Sequence, residues 1–426
     1  MRGRHGQAAR IGRGGTGLVR AGVLATVAVL ALTACGGTSN GSGSSSNSKP
    51  PVNKTGDSIP AVSAPGSGSF TSPGPFKVGV TTLALPGNNA PVEVWYPVAP
   101  QSVAGAKTVS YNVEDYLPAA LQKLFPVGFQ GGVYQTDAYR DVAVASGRFP
   151  LVEFTHGYSG FRTQSTFLTT HLASWGFVVA APDLLDNDLT AVLGGKKASG
   201  SDADIAEAAD TITLMGDQNS APSGRFSGHI DMSRVAAVGH SLGGAVSEAV
   251  AASDPMVKTF IGLAGATVGA FGQASSGPDS MVPNKPGMLM VGTADQVADP
   301  AGIAKAYTAM QQPKRLVTLQ NFGHLVFADL CEIGANKGGL AGLAEAAGLP
   351  LPGNLKKLAT DGCSAPDTPV TQAWPVIKQA VTAQLRHVFG FDSSDAALTG
   401  LSSAYPQVVV VDTDAAAAPT PAASSS

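Results

Sequence analysis

The chain has 426 residues, of which 44% are apolar and 13% charged, with a formal net charge of −3. That length accommodates one large folded core with flexible ends, and the sparse charge suits a well-buried globule. The balance provides no basic face of the kind nucleic acid requires, which excludes that class of partner.

From the N-terminus, Arg2, Arg4, Arg10, Arg13 and Arg20 make a basic leader, and Ala21 to Leu32 is an apolar run too short to span a bilayer comfortably. Leu32-Thr33-Ala34-Cys35 resembles the bacterial lipobox. That resemblance implies removal of residues 1–34 and a lipid on the sulfur of Cys35, so the expected location is the extracytoplasmic side of a cell membrane, anchored through Cys35. Loss of the leader leaves 22 basic against 30 acidic residues, a net charge of −8. Residues 35–74 are rich in Gly, Ser, Pro and Asn and read as a flexible linker.

Residues 75–390 read as one catalytic domain. Val78–Leu83 and Val92–Tyr96 are expected as an early strand pair, and Leu151–Thr155 as a short strand ending at His156-Gly157. Phe167, Leu168, His171, Leu172 and Trp175 then share one face of a helix at 3.6-residue spacing. Phe177–Ala181 is the next strand, Ile205–Met215 a helix, and Val235–Val238 a strand running into Gly239. Leu242–Ala252 reads as a small-residue helix, followed by strands at Thr259–Leu263, Met288–Val291 and Leu316–Leu319. Ala301–Met310 is a helix between the last two, and Trp374–Phe389 an amphipathic helix that closes the domain. Strands alternating with helices predict an α/β fold with a mainly parallel sheet covered on both faces. Residues 391–426 are expected to be a disordered tail, although Val408–Val411 within it has strand character.

Three cysteines are present: Cys35, Cys331 and Cys363. With Cys35 lipidated, Cys331 and Cys363 remain in an oxidising compartment and are expected to pair, closing an insert over residues 331–372.

Gly239-His240-Ser241-Leu242-Gly243 fits G-x-S-x-G, the strand-turn-helix elbow that exposes a nucleophilic serine. A serine hydroxyl needs a base, and in this arrangement the order along the chain is serine, acid, histidine. Only His324 and His387 follow Ser241, and His387 falls inside the last helix, which leaves His324 in the loop Asn321-Phe322-Gly323-His324. Of the carboxylates between Ser241 and His324, Asp295 follows an apolar strand and a Gly-Thr-Ala turn, where active sites form in open α/β sheets. Asp299 is the alternative. Acyl transfer also needs donors for the oxyanion. The N–H of Leu242 and that of Tyr158, on the His156-Gly157-Tyr158 loop, fill that role, with the Tyr158 and Phe161 rings expected to line the substrate pocket. Asp186-Asn187-Asp188 lacks the spacing of a calcium loop, and neither a zinc pattern, a phosphate loop nor a dinucleotide fingerprint is found, so no metal or cofactor is expected.

The segments His156 to Arg162 and Leu172 to Ala180, with Gly239 to Gly244, Gly292 to Asp295 and Gly323-His324, resemble α/β hydrolases of the platelet-activating-factor acetylhydrolase, dienelactone hydrolase and polyester hydrolase (cutinase-like) group. The resemblance implies Ser241, Asp295 and His324 as a triad, Tyr158 and Leu242 amides as the oxyanion hole, short-acyl, lipid or polyester esters as substrates, and no cofactor. Two features depart from it. Dienelactone hydrolases proper use a cysteine nucleophile, and the 50-position connection from His324 to Trp374 is longer than is typical of polyester hydrolases. A thioesterase, amidase or lipase on the same residues is the alternative within enzymes; a catalytically dead, lipid-anchored binding protein would lack a triad member.

Overall fold

The computed structural model describes residues 58–125, 130–196, 201–267, 282–349 and 351–412, all within the compact unit Pro50–Ser426. The leader, Cys35 and most of the linker lie outside the described residues.

Short runs of Val, Ile, Leu and Phe that are buried on both sides make the central strands, as parallel sheets require. In chain order the strands are β1 (Lys77–Ala84), β2 (Pro91–Val98), β3 (Thr108–Asn112), β4 (Val133–Arg140), β5 (Phe149–Thr155), β6 (Val178–Pro182), β7 (Ile230–His240), β8 (Val257–Leu263), β9 (Gly287–Gly292), β10 (Lys314–Leu319) and β11 (Val408–Asp412). They form one sheet in the order β11-β10-β9-β8-β7-β5-β6-β2-β1-β4-β3. The six strands from β6 to β10 around β5 and β7 are mutually parallel, as the alternation of elements predicts. β1 and β2 form the expected antiparallel pair, and β2 joins the centre antiparallel to β6.

The helices are α1 (Ala119–Gln122), α2 (Thr166–Ser174), α3 (Leu189–Leu193), α4 (Asp202–Ser220), α5 (Leu242–Ser253), α6 (Pro300–Ala309), α7 (Gly339–Ala346), α8 (Gly353–Leu358), α9 (Trp374–Val388) and α10 (Leu401–Ala404). Leu168 and Leu172 of α2 pack with Val376 and Ile377 of α9 in one core cluster. Ile212 of α4, Val250 of α5 and Ile303 of α6 belong to the other. Both faces of the sheet are thus covered, and the α/β architecture read from the pattern is the one observed.

Two boundaries differ from the sequence reading. The linker was expected to run to residue 74, but Ile59 and Phe70 are fully buried, and Phe70 packs edge-on to Trp175 at 5.0 Å. The tail was expected from 391, yet Leu398 and Leu401 are buried and β11 pairs antiparallel with β10 at the sheet edge. The physical reason is the same at both ends. Isolated apolar residues in Gly-, Ser- and Ala-rich stretches are enough to dock on α9, where Gln379 donates to Gly66 O and Ala397 O and accepts from Phe70 N.

Candidate active site

β7 ends at His240, and the next residue, Ser241, adopts φ 57° and ψ −121° before α5 begins. Left-handed backbone is rare for a residue with a side chain, and such strain persists only where the surroundings hold it. Here it turns the chain sharply from strand to helix. A Cβ at Gly239 would fall 2.2 Å from Gly243 O, and one at Gly243 2.1 Å from Thr155 O, so the tight turn admits only glycine on either side of the serine. The N-terminal end of α5 is thereby aimed at Ser241, which favours developing negative charge there.

β9 ends at Gly292 and delivers Asp295; β10 ends at Leu319 and delivers His324. His324 Nδ1 donates to Asp295 Oδ2 at 2.9 Å, with both side chains fully buried. Asp295 Oδ1 accepts from Val297 N at 2.8 Å and Ala298 N at 2.7 Å, which fixes the carboxylate. Because a carboxylate only accepts, Nδ1 carries the ring proton and Nε2 of the neutral ring keeps its lone pair. His324 Nε2 is buried without a hydrogen-bond partner, and Ser241 and His324 line one cavity. Asp299 lies elsewhere: it is exposed and caps α6 through Ala301 N. Glu248 accepts from Thr267, and Asp254 from Met256 N, so both are engaged in structure.

Ser241 stands between two hollows. One, of about 370 Å³, is walled mostly by Leu, Val and Phe side chains, with Tyr158, Ser159, Gln164, His240, Ser241 and His324 as its polar lining residues. The other, of about 490 Å³, reaches Ser241 from the Leu242 side and includes Asn187, Asp204 and Lys357. Tyr158 lines both.

A family model described as PET hydrolase-like matches residues 119–338, just over half of the chain. The chain belongs to the PET hydrolase-like family. It is a carboxylic ester hydrolase, and its mixed sheet with helices on both faces is the α/β-hydrolase fold. No curated protein matches it. Among solved structures it is similar to a ferulic acid esterase from Streptomyces cinnamoneus, with 22% identity and a TM-score of 0.58 over 80% of this chain and 99% of that one. At that identity the likeness speaks for the fold.

Several residues of this hydrolase brace the site, and one of them, His240, also lines the cavity with Ser241 and His324. His156 Nδ1 donates to Gly157 O and its Nε2 accepts from Leu184 N, so the ring braces the loop that carries Tyr158. His240 Nε2 donates to His324 O while Nδ1 accepts from Gln164, and burial holds its pKa well below the usual histidine value. It is a neutral strut beside His324. Asp183 binds the Arg162 backbone and guanidinium, and Asp188 caps α3. Phe161 requires a correction: it is buried and stacked on Tyr116 at 4.4 Å, and it supports the loop floor without lining either hollow. Its place three residues past the loop predicts a ring facing substrate, but the turn closed by Gly160 N and Gly157 O points it into the core.

The disulfide joins Cys331 to Cys363 with a Cα–Cα distance of 5.0 Å, as the cysteine count suggested. Just before it stands Asp361, which no sequence signal singled out. Its Oδ1 accepts from His324 N at 2.8 Å, its Oδ2 from Gln296 N at 2.9 Å, and its carbonyl from Leu325 N at 3.0 Å. One carboxylate therefore ties the Asp295 loop to the His324 loop. The approach is close: a Cβ on Gly323 would lie 2.4 Å from Asp361 Oδ1.

Proposed function

We propose that this hydrolase cleaves carboxylic esters through an acyl-enzyme on Ser241, with His324 as general base and acid and Asp295 as its partner. The observation that carries the reading is the buried His324–Asp295 hydrogen bond in the cavity that Ser241 enters from a strained elbow. Ser241 Oγ attacks the ester carbonyl carbon as His324 Nε2 takes its proton. The carbonyl oxygen becomes an oxyanion, held by the N–H groups of Leu242 and Tyr158. When the tetrahedral adduct collapses, the alcohol leaves with the proton from His324. Water then attacks the acyl-enzyme, again losing its proton to His324, and the acid departs from Ser241. Asp295 orients the ring and stabilises the imidazolium.

Chemistry on this triad also suits thioesters, but the family description supports oxygen esters. We further propose that the chain is exported and tethered by lipid on Cys35, a reading supported by the leader sequence.

Steady-state turnover of p-nitrophenyl butyrate tests the assignment. Ser241→Ala should abolish it, and Asp295→Asn should lower kcat by about 10⁴-fold if it behaves as in serine proteases. Asp299→Asn should leave it within a factor of two or so, since asparagine caps a helix about as well as aspartate. A crippled Asp299→Asn with an active Asp295→Asn would overturn the choice of acid.

A further inference from the structure

The insert closed by the Cys331–Cys363 bridge forms one wall of the large cavity. α7 turns Leu340, Leu343 and Ala344 inward, and α8 turns Leu355 and Leu358 inward, spacings that put each set on one helical face. On the outside, Lys356 pairs with Glu345 at 2.6 Å and ties the two helices together. Across the cavity stand Leu117 and Leu121 at α1 and Val192 and Leu193 at α3. α7 and α8 lie beyond residue 338, where the family match ends.

From this wall we infer the substrate class: the hydrolase acts on small esters that carry one long, unbranched hydrocarbon chain, and the chain lies in the hollow roofed by α7 and α8. The inference rests on the Ser241 reading given above. A polymer chain with an ester group every few atoms does not fit the lining. Its further carbonyls would be buried among leucines with no donor, which is costly. An aliphatic tail meets apolar surface along its whole length and leaves its single ester at the Ser241 end, where the polar atoms are. The second hollow, which shares Ser241 and Tyr158 with the first, takes the other half of the ester.

The test uses the protein from residue 36 onward and two homologous series: p-nitrophenyl esters from acetate to dodecanoate, and acetates of alcohols from methanol to dodecanol. In one of the two, kcat/KM should rise roughly three- to fivefold per added methylene until the hollow is full. The series that rises tells whether the acyl or the alkyl chain occupies it. Leu121→Trp and Val192→Trp, both at half-buried wall positions, should each cut the ratio of dodecanoate to acetate turnover by tenfold or more. Calorimetric binding of free butyrate, octanoate and dodecanoate should tighten with length in parallel, and this holds whether or not turnover is detected. Flat dependence in both series, together with length-independent fatty-acid binding, overturns the inference. Faster turnover of a terephthalate diester than of any long-chain ester also overturns it. If wild type hydrolyses acetate with neither chain dependence, only the chain-binding reading fails. Loss of all ester turnover with length-dependent binding intact would instead count against Ser241.

Discussion

Asp361 acts on the site without touching substrate. Its two carboxylate oxygens take the N–H groups of His324 and Gln296, and burial beside Asp295 raises its pKa despite those donors. Asp361→Ala leaves two partly buried amides without acceptors, each costing about 1–3 kcal/mol. The expected outcome is a large fall in kcat for a short ester with KM changed little, because the His324–Asp295 geometry loosens while the hollow keeps its walls. Asp361→Asn, which retains one acceptor oxygen, should fall between. Equal loss of kcat and rise of KM would mark Asp361 as a general structural residue instead. The contrast with the triad explains what sequence can reveal. Ser241, Asp295 and His324 each sit just past an apolar strand, so local pattern exposes them. Asp361 bonds to backbone amides 37 and 65 positions away, and backbone amides leave no residue-type signature.

At the scale of elements, the same logic separates the readable parts of the fold from the rest. The central strands and their covering helices follow apolar periodicity and were legible to within a few residues. Residues 58–74 and 391–407 were not, because composition averages hide single anchors such as Phe70 and Leu401, and the strand legible at Val408–Val411 carried no sign of its place beside β10. These end segments meet around Arg386 of α9, which is fully buried, paired bidentately with Asp392 at 2.7 and 2.8 Å, and set over the Phe70 ring at 5.0 Å. Asp392→Ala should therefore cost about 3–5 kcal/mol in urea unfolding, the range for leaving one member of a buried pair uncompensated. A loss under about 0.5 kcal/mol, usual for surface changes, would show that Asp392 is not part of the core. For the insert, replacing Cys331 and Cys363 together by Ser should lower stability by roughly 3 to 4 kcal/mol in the chain-entropy account of a loop this long. It should also weaken selection for long-chain esters more than for acetate. Unchanged melting and unchanged chain preference in the double variant would mean that packing alone holds α7 and α8.

Across the whole molecule, buried ionisable groups set the pH range of stability. Glu153 on β5 is fully buried with Thr155 as its hydrogen-bond partner, and desolvation pushes its pKa from 4.5 up to about 8. Asp329, enclosed at the start of α2, is raised to about 7 for the same reason. A raised carboxyl pKa means that the folded state holds the proton more tightly than the unfolded chain does. The contribution is therefore fully present below the unfolded value and is lost as pH rises through about 7 to 8. His171 acts in the opposite direction: burial lowers its pKa to about 3, so its contribution is present above the ordinary histidine value and lost as pH falls toward 3. Melting temperature should accordingly be highest near mildly acidic pH and decline toward pH 8. Glu153→Gln should flatten that decline, by an amount on the order of a few kcal/mol at the alkaline end. A parallel decline in wild type and variant would show that Glu153 is not the source. These groups tune stability around a site whose identity depends on one atom, Ser241 Oγ. The most direct test is mass spectrometry of the protein after reaction with an alkyl fluorophosphonate, with the adduct mapped to its peptide. A single adduct on Ser241 is expected, absent in Ser241→Ala and slowed in Asp295→Asn. An adduct on any other residue, or labelling that persists in Ser241→Ala, would contradict it.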